Sequence, residues 1–180
     1  MITFGNIKKE HLPFLKKWRN EQKDILRQTK LLTDKDQAEW FKKIKRDKNQ
    51  KLFAVYEGKK FIGYCGLVYI DFRHKRAEIS LLTETKRAKN KETYEKDFIS
   101  AFKMLCRHAF ENLKLNKIYT DTIDFRKENI RILEKLGFKK EAVLKKHYFK
   151  KRRYCDSIIQ SLFLKDWKKI NHGFQKKDKN

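Results

Sequence analysis

Four cations fall within six residues, at Lys86, Arg87, Lys89 and Lys91, just ahead of the longest helical pattern in the chain. Cations at the entrance to a helix could hold phosphate, because the helix start also presents free backbone N–H groups. This stretch has no glycine, so Cβ atoms stand between its backbone and any phosphate. Side-chain charge would then replace close backbone contacts. Glu92, Glu95 and Asp97 follow and would repel phosphate, and Asp97 also suits a helix N-cap. A solvated basic loop fits the same residues equally well. Arg19 offers a planar fork for an acidic group. Lys150-Lys151-Arg152-Arg153 is a basic turn between two strand patterns, a solvated turn by default and a nucleic-acid contact in the alternative. Cys65, Cys106 and Cys155 fall at apolar-pattern positions, and no pair has metal-ligand spacing. They read as buried, reduced thiols of a cytoplasmic protein, with no metal expected.

The elements that must position these residues follow from periodicity. Ile2 to Lys8 reads as a strand. Glu10 to Arg27 reads as a helix with Leu12, Leu15, Trp18 and Ile25 inward and Pro13 in its first turn. Thr33 is a good N-cap for a second helix, with Ala38, Phe41 and Ile44 at helical steps. Leu52 to Tyr56 and Phe61 to Phe72 make a hairpin across Glu57-Gly58-Lys59-Lys60. Ala77 to Thr83 is a fourth strand. Residues 97 to 113 make the long helix, with Phe98, Phe102, Leu105, Ala109 and Leu113 on one face. Lys117 to Ile123 alternates as a strand. A short helix from Lys127 to Leu136 ends at Gly137, where a left-handed cap is wanted. Ala142 to Phe149 and Tyr154 to Phe163 form the last hairpin. Strand, helix, strand makes a crossover, so the fourth and fifth strands should be parallel. The order predicts an α/β (α+β) fold, a mixed sheet with helices on both faces.

The 180 residues fit one domain, taken as residues 1–170; Asp166 onward reads as a polar tail, disordered over 171–180. Fourteen Phe, seven Tyr and three Trp supply bulky core material. The net charge of +24 implies attraction to polyanions, or simply a lysine-rich surface. No apolar run is long enough for a membrane span or a signal peptide, so no membrane partner is expected.

Glu134-Lys135-Leu136-Gly137-Phe138, followed by Glu141-Ala142-Val143-Leu144 and Asp156-Ser157-Ile158-Ile159-Gln160-Ser161-Leu162, resembles the C-terminal half of GNAT-superfamily N-acetyltransferases. The branch resembled is the one that acetylates ribosomal-protein N-termini. Ala109 to Ile118 is similar to the end of that family's central helix and its next strand. Trp18-Arg19-Asn20, with Thr33, Glu39, Trp40 and Phe41, resembles the amino-sugar acetyltransferase branch. The likeness spans about residues 1–165. It implies the GNAT fold, a mostly antiparallel sheet of about seven strands, and acetyl transfer from acetyl-CoA to a primary amine. The acceptor implied is a nucleotide-linked amino sugar or a protein N-terminus. The alternative is a GNAT-shaped binding module for nucleic acid or another polyanion that has lost cofactor binding. It is motivated by a departure: the family's pyrophosphate loop carries glycine, and no glycine lies between Gly66 and Gly137.

The resemblance also implies roles. Glu78, on the fourth strand, stands where the family often places a general base; otherwise it is a sheet-surface residue paired to a lysine. Leu81, Leu82 and Thr83 would offer backbone groups to the pantetheine arm. Arg87, Lys89, Asn90 and Lys91 would stand in for the pyrophosphate loop, which looks about five residues longer than usual. Asn129 lies near the family's CoA-holding Asn or Ser, and Leu133 replaces a general-acid tyrosine found in many members. His147 and Tyr148 fall near the acceptor site, with Arg19 and Trp40 shaping the acceptor pocket. A His in a strand, or a Trp such as Trp18, is more often structural.

Overall fold

The computed structural model describes residues 1–177, with side chains through Asn171. The strands are β1 (Ile2–Gly5), β2 (Lys51–Glu57), β3 (Lys60–Asp71), β4 (Arg76–Thr83), β5 (Lys117–Ile123), β6 (Lys139–Lys150) and β7 (Arg153–Phe163). They form one seven-stranded sheet in the order β1-β2-β3-β4-β5-β7-β6. Every neighbouring pair is antiparallel except β4 and β5, which run parallel as the crossover requires.

The helices are α1 (Leu12–Glu21), α2 (Asp34–Arg46), α3 (Thr85–Lys89), α4 (Lys91–Arg107), α5 (Lys127–Lys135) and α6 (Leu164–Lys177). They cover both faces, and the pleat decides which residue meets which helix. On β2 and β3, Ala54 and Tyr64 join Leu15, Trp18 and Phe41 of α1 and α2. Their neighbours Val55 and Cys65 turn to the other face, against Ala101 of α4. The larger core lies there, where Phe98, Phe102 and Leu105 of α4 meet Ile132 and Leu133 of α5. Cys65, Cys106 and Cys155 are buried thiols.

Local chemistry explains the boundaries. Thr33 caps α2 in a reciprocal pair with Asp36. At the end of α5, Gly137 takes φ +88°. Its N–H bonds the Glu134 carbonyl at 2.9 Å, and the Phe138 N–H bonds the Leu133 carbonyl at 3.0 Å. That double closure is a Schellman cap, and it returns Phe138 to the core.

Four expectations are corrected. The first strand ends at Gly5 rather than Lys8. The first helix stops at Glu21 rather than Arg27, because Gln22 donates its side-chain amide to the Thr83 carbonyl at 2.8 Å, and turns follow. The stretch expected as a loop before residue 97 is helical: Asn90 caps α4 by accepting the Thr93 N–H at 2.9 Å, seven residues before Asp97. The segment from Asp166 is helix rather than tail, with Trp167 only 6% exposed beside Phe110. The last three positions of the expected tail, 178–180, lie outside the described residues.

Candidate active site

β4 and β5 touch through three residue pairs, Arg76 with Lys117, Ala77 with Ile118 and Glu78 with Tyr119. Beyond Glu78 the strands part and a cleft opens. Ile79 to Leu82 form one wall and Thr120 to Ile123 the other. Tyr94, Phe98 and Phe102 of α4, with Arg126 just before α5 and Asn129 and Leu133 on it, close one side; Arg19, Arg27 and Gln28 approach from the other. An extended strand alternates its peptide directions, so about half of the β4 groups past Glu78 turn away from β3 toward the cleft.

Glu78 sits at the fork, 5% exposed. Burial pushes its carboxyl above the ordinary value, and the charge and hydrogen bond of Arg27 oppose that rise. Arg27 pairs with Glu78 and, through Nη1, with Asp121 Oδ2 at 3.1 Å. Burial alone would ease the proton off the Arg27 guanidinium, but the adjoining Glu78 carboxylate, Tyr148 and Asp121 hold it on more firmly than usual. Asp121 also accepts hydrogen bonds from the Tyr148 hydroxyl and the Ser157 hydroxyl, each at 2.5 Å. The Tyr148 phenol is pushed up to about 12 by burial and by its bond to Asp121.

Deeper in, the Tyr94 hydroxyl donates to Asn129 Oδ1 at 3.2 Å and accepts from Arg126 Nη2 at 3.4 Å. Burial raises the Tyr94 phenol. Leu133 is fully buried on the same lining.

The fold thus brings Glu78, Leu81, Leu82, Asn129 and Arg19 to one cleft, and Tyr148 reaches it through Asp121. Thr83 is buried beside it, and its carbonyl is taken by Gln22. Trp40 stands behind the lining, tilted on Tyr64 at 5.9 Å. His147 is exposed, edge-on to Tyr148 at 4.8 Å, on a bulge of β6 and outside the cleft lining. The basic cluster divides. Arg87 spends its fork on Asp97, at 2.5 and 2.8 Å, and on Glu57 at 2.8 Å. Lys86, Lys89 and Lys91 remain exposed, and Asn90 is occupied as a cap. Glu78 pairs with Arg27 rather than with a sheet lysine.

Sequence reading missed Arg27, Asp121 and Ser157. Asp121 carried a signal: an acid between two threonines in an otherwise β-branched strand. Arg27 carried none: it stood only as the last residue of the expected helix.

The sequence profile of the family described as Acetyltransferase (GNAT) domain matches residues 6–159. A curated relative, the SPbeta prophage-derived uncharacterized N-acetyltransferase YokL of Bacillus subtilis (strain 168), is 37% identical over 70 residues. That match spans 39% of each chain. Among solved structures, the spermidine N-acetyltransferase of Vibrio cholerae in complex with CoA and spermine superposes with TM-score 0.82 at 20% identity, covering 92% of this chain and 97% of that one. Mutant forms of the spermidine/spermine N-acetyltransferase of the same organism superpose with TM-score 0.79 at 20% identity, covering 94% and 98%. At that identity the superpositions speak to the fold. GNAT domains use acetyl-CoA as co-substrate. With the profile matched over most of its length and the seven-stranded fold in place, this chain belongs to the GNAT acetyltransferase family.

Proposed function

We propose that the protein transfers the acetyl group of acetyl-CoA to a primary amine carried on an anionic small molecule, of the nucleotide-linked amino-sugar kind. The observation that carries this reading is the fork at Glu78: a cleft between parallel strands with a buried carboxylate at its root. Such a cleft suits a pantetheine arm running beside the peptide groups of Leu81, which alternation turns away from β3. Its N–H would polarise the thioester carbonyl.

The acceptor arrives as an ammonium and must lose a proton before it can attack. Glu78, raised by burial, takes that proton directly or through water. The amine nitrogen then bonds to the thioester carbon, the C–S bond breaks, and the electron pair leaves on sulfur. One nitrogen proton finishes on the thiolate, and the Glu78 proton passes to solvent. Tyr94 is the phenol we assign to relay that nitrogen proton, giving its own to sulfur and taking the amine's in return, since its hydroxyl lies on the same lining and Leu133 has none to give.

Charge argues for the acceptor class. A net +24 draws anions and opposes polycations such as the spermine of the Vibrio cholerae complex. Arg19 faces the cleft with a fork that fits a phosphate or carboxylate. A protein N-terminus is the competing acceptor. The commitment of Arg87 to Asp97 and Glu57 favours a second reading, a GNAT-shaped module without cofactor. Calorimetric titration with acetyl-CoA separates these: heat at micromolar to millimolar ligand supports the transferase, and none supports the module. Thiol release with nucleotide-linked amino sugars, free-N-terminal peptides and spermidine then ranks the acceptors. A higher kcat/KM for peptide or spermidine would overturn the anionic class.

A further inference from the structure

We propose that the Arg27 guanidinium occupies the seat of the acceptor's ammonium group, between Glu78 and Asp121, and that the acceptor binds by exchanging with it. The inference rests on the acetyltransferase reading above and assigns three residues within it. Glu78 and Asp121 stand on different strands, β4 and β5, on the two arms of the fork. Their side chains are only 6% and 12% exposed. Two carboxylates this dry need a cation between them. Arg27 supplies it from outside, with its own side chain 39% exposed.

The manner of attachment suits exchange. Arg27 belongs to the irregular link between α1 and α2, whose backbone is held at both ends of its turn. Gln22 is fixed to the Thr83 carbonyl and Thr85 Oγ1, at 2.8 and 3.3 Å. Gln28 is fixed to Asn20 Oδ1 and the Lys30 carbonyl, at 3.0 and 2.7 Å. Only the flexible side chain has to swing. The two acids differ in what they keep when it goes. Asp121 retains the hydroxyls of Tyr148 and Ser157. Among the described residues the Glu78 carboxylate has no other hydrogen-bond partner than Arg27. Withdrawal of Arg27 therefore leaves one anchored carboxylate and one released carboxylate. An anchored anion to hold the ammonium and a released one to accept its proton is the division of labour the first step requires. Glu78 is the catalytic residue here, Asp121 a specificity-determining residue that grips the cation, and Arg27 its competitor.

Two measurements test the exchange. The first is steady-state kinetics with the best acceptor. If Arg27 is docked about nine-tenths of the time, Arg27→Gln lowers the acceptor KM about tenfold, because the seat is then permanently open. Asp121→Asn raises that KM more than it lowers kcat. A raised acceptor KM in Arg27→Gln would overturn the exchange and make Arg27 a substrate contact. The second needs neither acetyl-CoA nor turnover. Arg27→Ala vacates the seat, and n-propylammonium or methylguanidinium chloride should raise the Tm of Arg27→Ala saturably, with potassium chloride of equal strength as control. The wild type should need about tenfold more of either salt for the same rise, and Arg27→Ala/Asp121→Asn should not respond. If Arg27→Ala does not fold, Arg27→Gln takes its place in this titration. No ligand-dependent rise in the vacated protein would overturn the proposal. A failed acetyl-CoA titration would sink the transferase reading while the second measurement still reads the seat.

Discussion

Removing Arg87 distinguishes a strut from a phosphate hand. Arg87→Ala deletes two bonds to Asp97 and one to Glu57. The two acids are not equivalent. Asp97 is 3% exposed and faces inward from α4, so it is left as a buried charge without a cation. Breaking a buried pair from one side costs about 3–5 kcal/mol. The Glu57 side chain is 40% exposed, so solvent screens its arm and it adds little. Taking about 4 kcal/mol overall and about 2–4 °C per kcal/mol for a chain of this size, Tm should fall by about 8–16 °C. Asp97→Asn on the same background should restore more than half, because the unpaired charge is the larger part of the cost. Thermal melts followed by circular dichroism give the Tm values, and calorimetric titration with CoA at 15–20 °C below each Tm gives the affinity, all at roughly matched salt. The strut reading expects CoA affinity within about threefold of wild type. A Tm within about 2 °C of wild type, with CoA affinity weakened at least about tenfold, would refute it and return Arg87 to the phosphates.

Glu78→Gln should lower kcat/KM by about 10²–10⁴ while leaving acetyl-CoA affinity nearly intact; equal activity in the variant removes Glu78 as the base. The acid limb of kcat/KM should fall above the ordinary glutamate range, because burial pushes Glu78 up; a limb at or below about 4 would contradict this. Tyr94→Phe should reduce kcat about tenfold with little change in KM, and a solvent isotope effect that persists unchanged would argue against proton delivery from its hydroxyl. His11 gives a stability test. It is 3% exposed, accepts the Lys8 N–H at 3.0 Å, meets the Tyr56 hydroxyl at 2.9 Å, and is held below 6.5 chiefly by burial. The unfolded chain therefore binds a proton first as pH falls through 6.5, and stability should drop there. The urea midpoint should fall between about pH 7.5 and 5.5, less so in His11→Gln; identical slopes would clear His11 of the effect.

The parts of the fold that were legible in the sequence are those written in local chemistry. Alternation in Lys117–Ile123, the Thr33 cap and the Gly137 stop each depend on residues within a few positions, and each stands where periodicity put it. The misplacements have tertiary causes. Nothing within residues 18–27 signals a stop after Glu21; the helix ends there because Gln22 finds a carbonyl 61 positions away. The run from Lys86 to Asp97 read as a charged loop because its acids and bases were weighed separately. In the fold Arg87 and Asp97 neutralise each other across the junction of α3 and α4. The site shows the same split. Glu78 was placed through the likeness of its strand to a family, whereas Arg27 and Asp121 meet across 94 positions, a separation no spacing argument covers.

The sheet has a weak seam. Four strands on one side and three on the other are stitched by three residue pairs, and every other junction in the sheet has at least four. The two leaves can open about that seam at less cost than either can unravel. Whatever lies along the gap adds the stitches the protein omits, so ligand affinity and the cohesion of the leaves are thermodynamically one quantity. Amide exchange in Ile79–Leu82 and Thr120–Ile123 would then slow together on saturation, and the chain's resistance to unfolding would track the supply of its co-substrate.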